Sequence, residues 1–328
     1  MLTNKMIIPL VLAFAAVVFP EIAAAQQPLQ RYPVKTIRMV IPVVAGGPFD
    51  FLGRTLIQKV QNEMTIVIDN RPGAGTALGT DVVAKSAADG YTMLLTSSTH
   101  GSLPVLYKSL PYDAVKDFIP ITIIADSVGF LLVAHPSVAP TLASFIAIAK
   151  SQPGKLSYGS AGIGNASHFA AEIFNSMTGA QTTHVPYKGV VQLMPDLFSG
   201  RIQFSMGPPT AFLQYVKAGK LNALGITSHA RWSELPDVPT MDEAGAKGVV
   251  FAPWYGLWFP AGTPEQYVIR IRTEIDKALR DPEVRRAYTL EGFLPRTGPI
   301  TSAEITKKIV EEIEANRTLA AKIGLKPE

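Results

Sequence analysis

The sequence predicts an α/β fold with largely parallel sheets. Short apolar runs alternate with longer helix-like runs along the whole chain, and this alternation is typical of βαβ units. Glycine follows five of the predicted helices, where a left-handed residue is expected to end each helix. These glycines are Gly90, Gly154, Gly179, Gly200 and Gly219. No repeat of fixed period is evident, so a solenoid is not expected.

The predicted elements follow one another from Ile37 onward. Strands are predicted at Ile37–Ile41, Thr65–Asp69, Tyr91–Thr96, Ile121–Ala125, Gly129–Ala134, Leu156–Gly159, Thr182–Val185, Ile202–Met206, Leu221–Thr227 and Tyr255–Phe259. Helices are predicted at Phe49–Asn62, Ala77–Ser86, Leu142–Gln152, Ala166–Gly179, Leu193–Ser199 and Pro209–Lys217. After Thr263 the chain is amphipathic and helical, and we expect it to pack back onto the first part of the fold.

Two stretches suggest that the chain passes between two lobes. Leu110–Asp126 leads out of the first lobe, and Pro253–Thr263 returns to it. We therefore expect a discontinuous first lobe of residues 26–125 and 255–328 and a second lobe of residues 126–254. A hinge of two chain crossings would join the two lobes.

The first 25 residues have the composition of a signal peptide. Lys5 is basic, Ile8–Phe19 is apolar, and Ala23–Ala25 supplies small residues for cleavage before Gln26. The apolar stretch is too short for a comfortable membrane span, which makes a membrane anchor the weaker interpretation. We therefore expect export to the periplasm, with cleavage near Ala25.

The composition narrows the function further. The 328 residues include no cysteine, which excludes a disulfide framework and a lipoprotein tether, and a chain of this length can rely on its core. The formal charge of +4 is spread along the chain without a basic block. This pattern suits an anionic small ligand and argues against nucleic-acid binding.

Glycine turns follow two of the predicted strands and lead into helices. They are Ala45–Asp50 and Gly159–His168. A turn that delivers a strand to a helix N-terminus leaves unpaired N–H groups at the positive end of the helix dipole, and such groups bind anions. Two such sites in one exported chain suggest a protein that holds a small anion between two lobes.

Together with other short motifs, these turns resemble the Bug/TctC family, the periplasmic solute receptors of tripartite tricarboxylate transporters. The motifs occur in the family's order and span nearly the whole mature chain. They are Ala45–Asp50, Asp69–Gly75, Asp89–Thr92, Leu110–Asp113, Lys116–Phe118, Tyr158–Gly162, Ser167–His168, His184–Gly189, Lys217–Lys220 and Leu235–Thr240.

The resemblance implies a two-lobed, type II-like periplasmic-binding-protein fold and a small carboxylate clamped in the cleft. It also implies delivery of that ligand to membrane permease subunits, with no catalysis and no cofactor, and we expect a monomer. A ligand-sensing receptor would use the same binding chemistry. An exported hydrolase is the weakest alternative, because Tyr158 replaces the first glycine of a nucleophile elbow around Ser160.

In the first lobe, the loop after Ile37–Ile41 is expected to hold one carboxylate. The donors would be the backbone N–H groups of Gly46, Gly47 and Phe49, and the Phe49 ring would form a wall of the pocket. Asp50 belongs to the same loop, but its carboxylate has the same sign of charge as the ligand and would repel it. We therefore expect Asp50 to stabilise the start of the helix.

The loop after Tyr91–Thr96 adds three polar candidates to the first lobe. Ser97 and Ser98 stand at the carboxyl end of a strand, where they would either bind ligand or cap the next helix. His100 would either donate to a carboxylate or have a structural role.

In the second lobe, the glycine turn is expected to hold a second carboxylate. The candidates there are Gly162, Gly164, Asn165, Ser167, His168 and Tyr187. Asn165 or Ser167 would also cap the following helix. His168 and Glu172 share a helical face, but no third ligand is identifiable and the other histidines are scattered, so we expect no metal.

The segment around Gly207 departs from a common family pattern. Many members carry an aspartate about there, which would pair with a ligand ammonium group, whereas here Pro208 follows Gly207. The absence of the aspartate favours a ligand without a positive charge over an amino acid. Such a ligand would be a dicarboxylate or an aromatic acid like terephthalate. Pro208 would offer apolar surface to that ligand.

Overall fold

The computed structural model describes residues 32–163 and 165–322. The predicted signal peptide and Gly164 lie outside the described residues. The strands are β1 (Ile37–Ile41), β2 (Ile66–Asn70), β3 (Thr92–Ser97), β4 (Phe118–Ser127), β5 (Leu131–Ala134), β6 (Ser157–Ser160), β7 (Thr183–Pro186), β8 (Phe204–Gly207), β9 (Asn222–Ile226), β10 (Trp254–Pro260) and β11 (Phe293–Pro295).

Helices separate most of these strands. They are α1 (Pro48–Val60), α2 (Ala77–Ala84), α3 (Leu103–Leu106), α4 (Leu142–Ser151), α5 (Ala166–Thr178), α6 (Val190–Phe198), α7 (Pro209–Lys217), α8 (Glu265–Arg280), α9 (Pro282–Leu290) and α10 (Ser302–Lys322). In the part of the chain that is described, none of them combines the length and apolar character needed to span a membrane.

The strands form two separate mixed sheets within one compact unit that begins at Pro33. The first sheet has the order β11-β4-β10-β3-β1-β2, and the second has the order β7-β6-β8-β5-β9. We call the halves of the molecule built on these sheets lobe 1 and lobe 2. Their existence confirms the predicted two-lobed α/β class.

The expectation of largely parallel sheets is wrong. Strands β1, β2 and β3 are parallel, as are β6, β7 and β8, but β10 runs antiparallel to β3 and β4, and β5 runs antiparallel to β8 and β9. Strands β5 and β10 are each the first that the chain forms after it crosses from the other lobe. The chain enters each sheet from the side at which the parallel strands have their carboxyl ends. The entering strand must therefore run in the opposite direction. Strand β11, at the edge of the first sheet, is also reversed, since it runs antiparallel to β4.

The two crossing segments are hydrogen-bonded to each other. The Thr227 hydroxyl accepts the Phe130 N–H at 2.7 Å and donates to the Phe251 carbonyl at 2.6 Å. The Ser127 N–H donates to the Pro253 carbonyl at 2.8 Å. Thr227 is fully buried, so these bonds are shielded from water and join the two segments into one hinge.

Several local differences from the sequence prediction have simple causes. The strand predicted from Gly129 begins at Leu131, since Gly129 has a left-handed φ of +89° in the crossing segment. The helix predicted from Leu193 begins at Val190, directly after Gly189. Strand β11 was not predicted because it has only three residues, paired with the edge of β4.

Other predicted features are confirmed. The strand Ile37–Ile41 has the predicted bounds, and all five glycines expected to follow helices have positive φ. The C-terminal helices pack onto lobe 1, where Ile305, Ile309 and Ile313 join a buried cluster that contains Trp254. These helices therefore cover lobe 1 and leave its strand-end edge to face lobe 2.

Candidate ligand-binding site

The loops that follow the parallel strands gather at the facing edges of the two sheets. In lobe 1, β1 lies between β2 and β3, so the Gly46 loop is flanked by the loops after Asn70 and Ser97. In lobe 2, β6 lies between β7 and β8, so the Gly162 loop is flanked by Tyr187 and Pro208. Ligands of open α/β sheets bind at this edge.

The β1–α1 loop is stabilised from within by a buried carboxylate. Asp50 is 4% exposed, accepts the Gly46 N–H at 3.1 Å and pairs with Arg54 at 2.7 Å. Burial raises the pKa of Asp50, but the Arg54 and Gly46 hydrogen bonds outweigh it and hold the pKa below its ordinary value. The Gly46 N–H is therefore engaged by Asp50 in this conformation, which is the helix-start role expected of Asp50.

The neighbouring amides have no such acceptor. Among the described residues, the N–H groups of Gly47 and Phe49 have no hydrogen-bond partner, and both stand at the N-terminus of α1. The Phe49 ring packs edge-on against Tyr255, with ring centroids 5.0 Å apart. Lobe 1 thus offers two unpaired donors beside an aromatic wall, at the positive end of a helix dipole.

Both serines after β3 make structural hydrogen bonds. Ser97 accepts the Thr99 N–H at 3.4 Å and so caps the following 3₁₀ turn, Ser98–Ser102. The Ser98 hydroxyl accepts the Trp254 N–H at 3.3 Å. The capping alternative therefore describes Ser97 in this conformation, and direct ligand contact by either serine stays a prediction.

His100 lies in the aromatic core of lobe 1. It is 1% exposed, its Nε2 is 2.8 Å from the Ala114 carbonyl, and Tyr112, Phe118 and Trp258 surround its ring. Burial lowers the pKa of His100 to about 4. A neutral, enclosed imidazole fits the structural role better than a contact with a ligand carboxylate.

The buried His100 makes the stability of the protein sensitive to acid. Its pKa lies below the ordinary value of 6.5, so its contribution is complete above pH 6.5 and is lost as the pH falls towards 4. Between pH 7.5 and 4.5 we expect this residue alone to remove about 2–3 kcal/mol of unfolding free energy.

Urea unfolding at both pH values measures this loss. His100→Gln should unfold more easily at pH 7.5 but lose less stability on acidification. His229→Gln changes an exposed histidine and should keep the wild-type pH dependence. Equal acid sensitivity in wild type and His100→Gln would contradict the assignment.

The glycine turn of lobe 2 satisfies its amides with its own hydroxyl groups. The Ala161 N–H donates to Ser167 Oγ at 2.8 Å, and the Gly162 N–H donates to Ser160 Oγ at 3.2 Å. Asn165 caps α5 by accepting the Ser167 N–H at 3.1 Å, which confirms its predicted capping role. A ligand carboxylate at this turn would replace these hydroxyl acceptors.

Sequence reasoning missed one histidine of this region. His184 of β7 stacks on His168 of α5, with ring centroids 4.1 Å apart and 9° between the ring planes. The expectation that the other histidines lie scattered is therefore wrong for this pair. The proximity of the two residues could be expected, since β6 and β7 are consecutive predicted strands and β6 leads into the turn before α5, but the stacking of their rings could not.

The remaining candidates of lobe 2 lie on either side of the turn. Tyr187 donates its hydroxyl to Asp196 at 2.8 Å, and burial together with that carboxylate raises the pKa of Tyr187 to about 12. Pro208 precedes α7 at the edge of β8 and is partly exposed. At Gly207 a Cβ atom would stand 3.0 Å from the Phe212 ring, so an aspartate there would have to displace that ring.

The two lobes touch beside these loops. Phe169, next to His168 in sequence, is buried in the lobe 1 cluster that contains Ala77 and Trp254. A second contact is made by Gly292 of lobe 1, which lies so close to Pro209 of lobe 2 that a Cβ atom added to Gly292 would stand 3.9 Å from Pro209 Cγ. The Gly162 turn is therefore held close to lobe 1.

Comparisons with known proteins agree with this geometry. Residues 54–325 match the model of the tripartite tricarboxylate transporter family receptor, TctC. The structure of the periplasmic binding protein BugD is similar, with 30% identity and a TM-score of 0.82, over 90% of this chain and 100% of that chain.

Two further structures are similar over most of both chains. Rpa4515 of R. palustris, solved with adipate, is 29% identical with a TM-score of 0.83 and covers 90% of this chain and 100% of its own. MatC of Rhodopseudomonas palustris, solved with bound malate, is 29% identical with a TM-score of 0.79 and covers 88% and 99%. The chain therefore belongs to the Bug/TctC family of periplasmic solute-binding receptors.

Proposed function

We propose that this protein captures a small carboxylate without a positive charge in the cleft between its lobes and delivers it to the permease subunits of a tripartite tricarboxylate transporter. The signal peptide would direct export to the periplasm and be cleaved near Ala25, and the lobes would comprise residues 26–125 with 255–328 and residues 126–254. The unpaired N–H groups of Gly47 and Phe49 at the N-terminus of α1 carry the proposal.

The charges around the cleft support a negatively charged ligand. The positive end of α1 favours an anion at Gly47, while Asp50, the acid of the same loop, is already neutralised by Arg54 and the Gly46 N–H. In lobe 2 the amides of Ala161 and Gly162 bond to neutral hydroxyl oxygens, which a carboxylate oxygen can replace with a stronger, charge-assisted hydrogen bond.

The surroundings of Gly207 support the absence of an ammonium group on the ligand. A Cβ atom at this position would already press against the Phe212 ring, 3.0 Å away, and Pro208 adds apolar surface beside it. Adipate and malate, the ligands named for two relatives, are both dicarboxylates without an amino group. A dicarboxylate, or an aromatic acid such as terephthalate, fits these features better than an amino acid.

The expected affinity follows from the number of donors. Hydrogen bonds to a charged group contribute about 1.5–3 kcal/mol each, so a few bonds at each carboxylate exceed the ~8 kcal/mol of micromolar binding after the cost of closure. The ligand contacts both lobes only when they are closed, so binding shifts the population towards the closed form.

A thermal-shift panel tests the ligand class. Adipate, malate and terephthalate are compared with L-aspartate at pH 7.5, and a ligand that binds only the folded state raises the unfolding temperature. We expect at least one of the first three acids to stabilise the protein and L-aspartate to have little effect. Stabilisation by L-aspartate alone would contradict the proposal. Carboxylate uptake that is unchanged in cells lacking this receptor would contradict the delivery step.

A further inference from the structure

The stacked histidines of lobe 2 are joined to the glycine turn by a shared hydroxyl group. Ser160 Oγ lies 2.6 Å from His184 Nε2, 3.2 Å from the Gly162 nitrogen and 3.1 Å from the Gly162 carbonyl oxygen. Ser160 itself is fully buried. A change in the protonation of His184 therefore changes which way the Ser160 hydroxyl can donate, and so acts directly on the turn.

The chemistry of that hydroxyl has two states. With His184 Nε2 unprotonated, Ser160 donates to the imidazole and accepts from the Gly162 N–H. With Nε2 protonated, the imidazole donates to Ser160 Oγ and the hydroxyl turns to the Gly162 carbonyl. In the second state Ser160 Oγ already accepts one strong, charge-assisted bond, so the Gly162 N–H is more readily given up to a ligand oxygen.

A tyrosine and a glutamate lie near the histidine pair. Tyr158 of β6 stacks against both rings, with its centroid 4.8 Å from His184 and 6.5 Å from His168, and its hydroxyl donates to Glu172 of α5 at 2.5 Å. Asn175 also donates to Glu172, at 3.4 Å. Two titratable groups near the pair are therefore Tyr158 and, one helical turn from His168, Glu172.

The free protein disfavours a charge on His184. Burial, and then the neighbouring His168, lower the pKa of His184 to about 4. An anion brought to the adjacent turn acts in the opposite direction, since a negative charge nearby favours the protonated imidazole.

We propose that carboxylate capture is coupled to a proton: the His168–His184 pair takes up a proton when a carboxylate occupies the Gly162 turn. This inference rests on the proposed function, and it adds His184 to the binding site as the residue that positions the turn. Linkage then requires affinity to rise as the pH falls, and each unit by which the ligand raises the pKa of the pair strengthens binding about tenfold at low pH. The site would also prefer a carboxylate to the corresponding neutral amide.

Titration calorimetry at pH 6.5 in buffers of different ionisation enthalpy measures the protons exchanged on binding. The probes are adipate, malate and terephthalate, and we expect net proton uptake for whichever of them binds. His184→Gln keeps a group that can hydrogen-bond but cannot take up a proton, so it should bind without the uptake. Subtracting the proton uptake of the variant from that of the wild type cancels the protons that the ligand and the buffer exchange.

His229→Gln changes an exposed histidine and is the matched control, expected to keep the wild-type uptake. Ser160→Ala, the second variant, removes the hydroxyl that joins His184 to the turn and should reduce the uptake, which keeps the test open if His184→Gln does not fold. Binding by wild type with no uptake, or with proton release, overturns the inference and leaves the proposed function standing. If none of the three acids binds, the proposed function fails and the inference fails with it.

Discussion

Replacing Gly47 with valine is expected to weaken carboxylate binding at least about 100-fold, or about 2.7 kcal/mol, while the unfolding temperature stays nearly unchanged. Gly47 has an ordinary φ of −91°, and a Cβ there would meet only the Val44 carbonyl oxygen, at 3.9 Å. The free protein therefore accepts the side chain without strain. The new methyl groups would occupy the space through which a ligand oxygen must approach the Gly47 N–H.

Calorimetric titration of the acid found by the thermal-shift panel measures this loss. Gly298→Val is the matched control, because a Cβ at Gly298 meets no atom within 4 Å and this residue lies before α10, outside the loops of the cleft. It should bind normally. Gly46→Val is less informative, since φ at Gly46 is +83° and valine would strain the loop. Unchanged affinity in Gly47→Val would sink the assignment of this loop to ligand binding.

The second large effect is expected at the hinge, where Gly129→Ala should lower the unfolding free energy by about 3 kcal/mol or more. Gly129 has φ +89°, which costs an alanine about 1–2 kcal/mol. Its Cβ would also stand 2.7 Å from the Ser228 nitrogen, a backbone atom that cannot move aside without disturbing the Thr227 bonds. That overpacking adds about 1–3 kcal/mol.

Gly245→Ala separates the cost of a positive φ from the cost of the close contact made by the new Cβ. Gly245 has nearly the same φ, +91°, but a Cβ there meets nothing within 4 Å. Urea unfolding should therefore show a loss of only about 1–2 kcal/mol for Gly245→Ala. Equal losses in the two variants would show that the close approach at the hinge is unimportant.

Most elements of the fold could be predicted from the sequence, because strands, turns and helix caps are indicated by residues that are close together in the chain. Ile37–Ile41 is a short apolar run with glycine and proline after it, and the structure has that strand at the same residues. Asn165 is a good helix cap at the right place, and it caps α5. The direction of β5 and β10 was not predicted, because strand direction depends on where the chain enters the sheet and leaves no mark in the residues of the strand.

The site was harder to predict because it depends on contacts distant in sequence. Donors at Gly47 and Phe49 follow from the strand-turn-helix pattern alone. The engagement of the Gly46 N–H by Asp50 and the stacking of His168 on His184 depend on side-chain geometry that spacing does not encode. His100 illustrates the same limit, since nothing in its neighbours along the chain shows that an aromatic core encloses it.

The internal hydrogen bonds of the two loops have a consequence for selectivity. Gly46 gives its N–H to Asp50, and Ala161 and Gly162 give theirs to serine hydroxyls, so the protein supplies its own substitutes for ligand oxygens. At these amides, binding is an exchange of one acceptor for another. A neutral acceptor such as an ester or an alcohol would gain little by that exchange. A carboxylate would gain at Ala161 and Gly162, where it replaces a neutral hydroxyl, but not at Gly46, where it would replace the Asp50 carboxylate. With the ligand bound as proposed, the receptor would select it by acceptor strength as well as by shape.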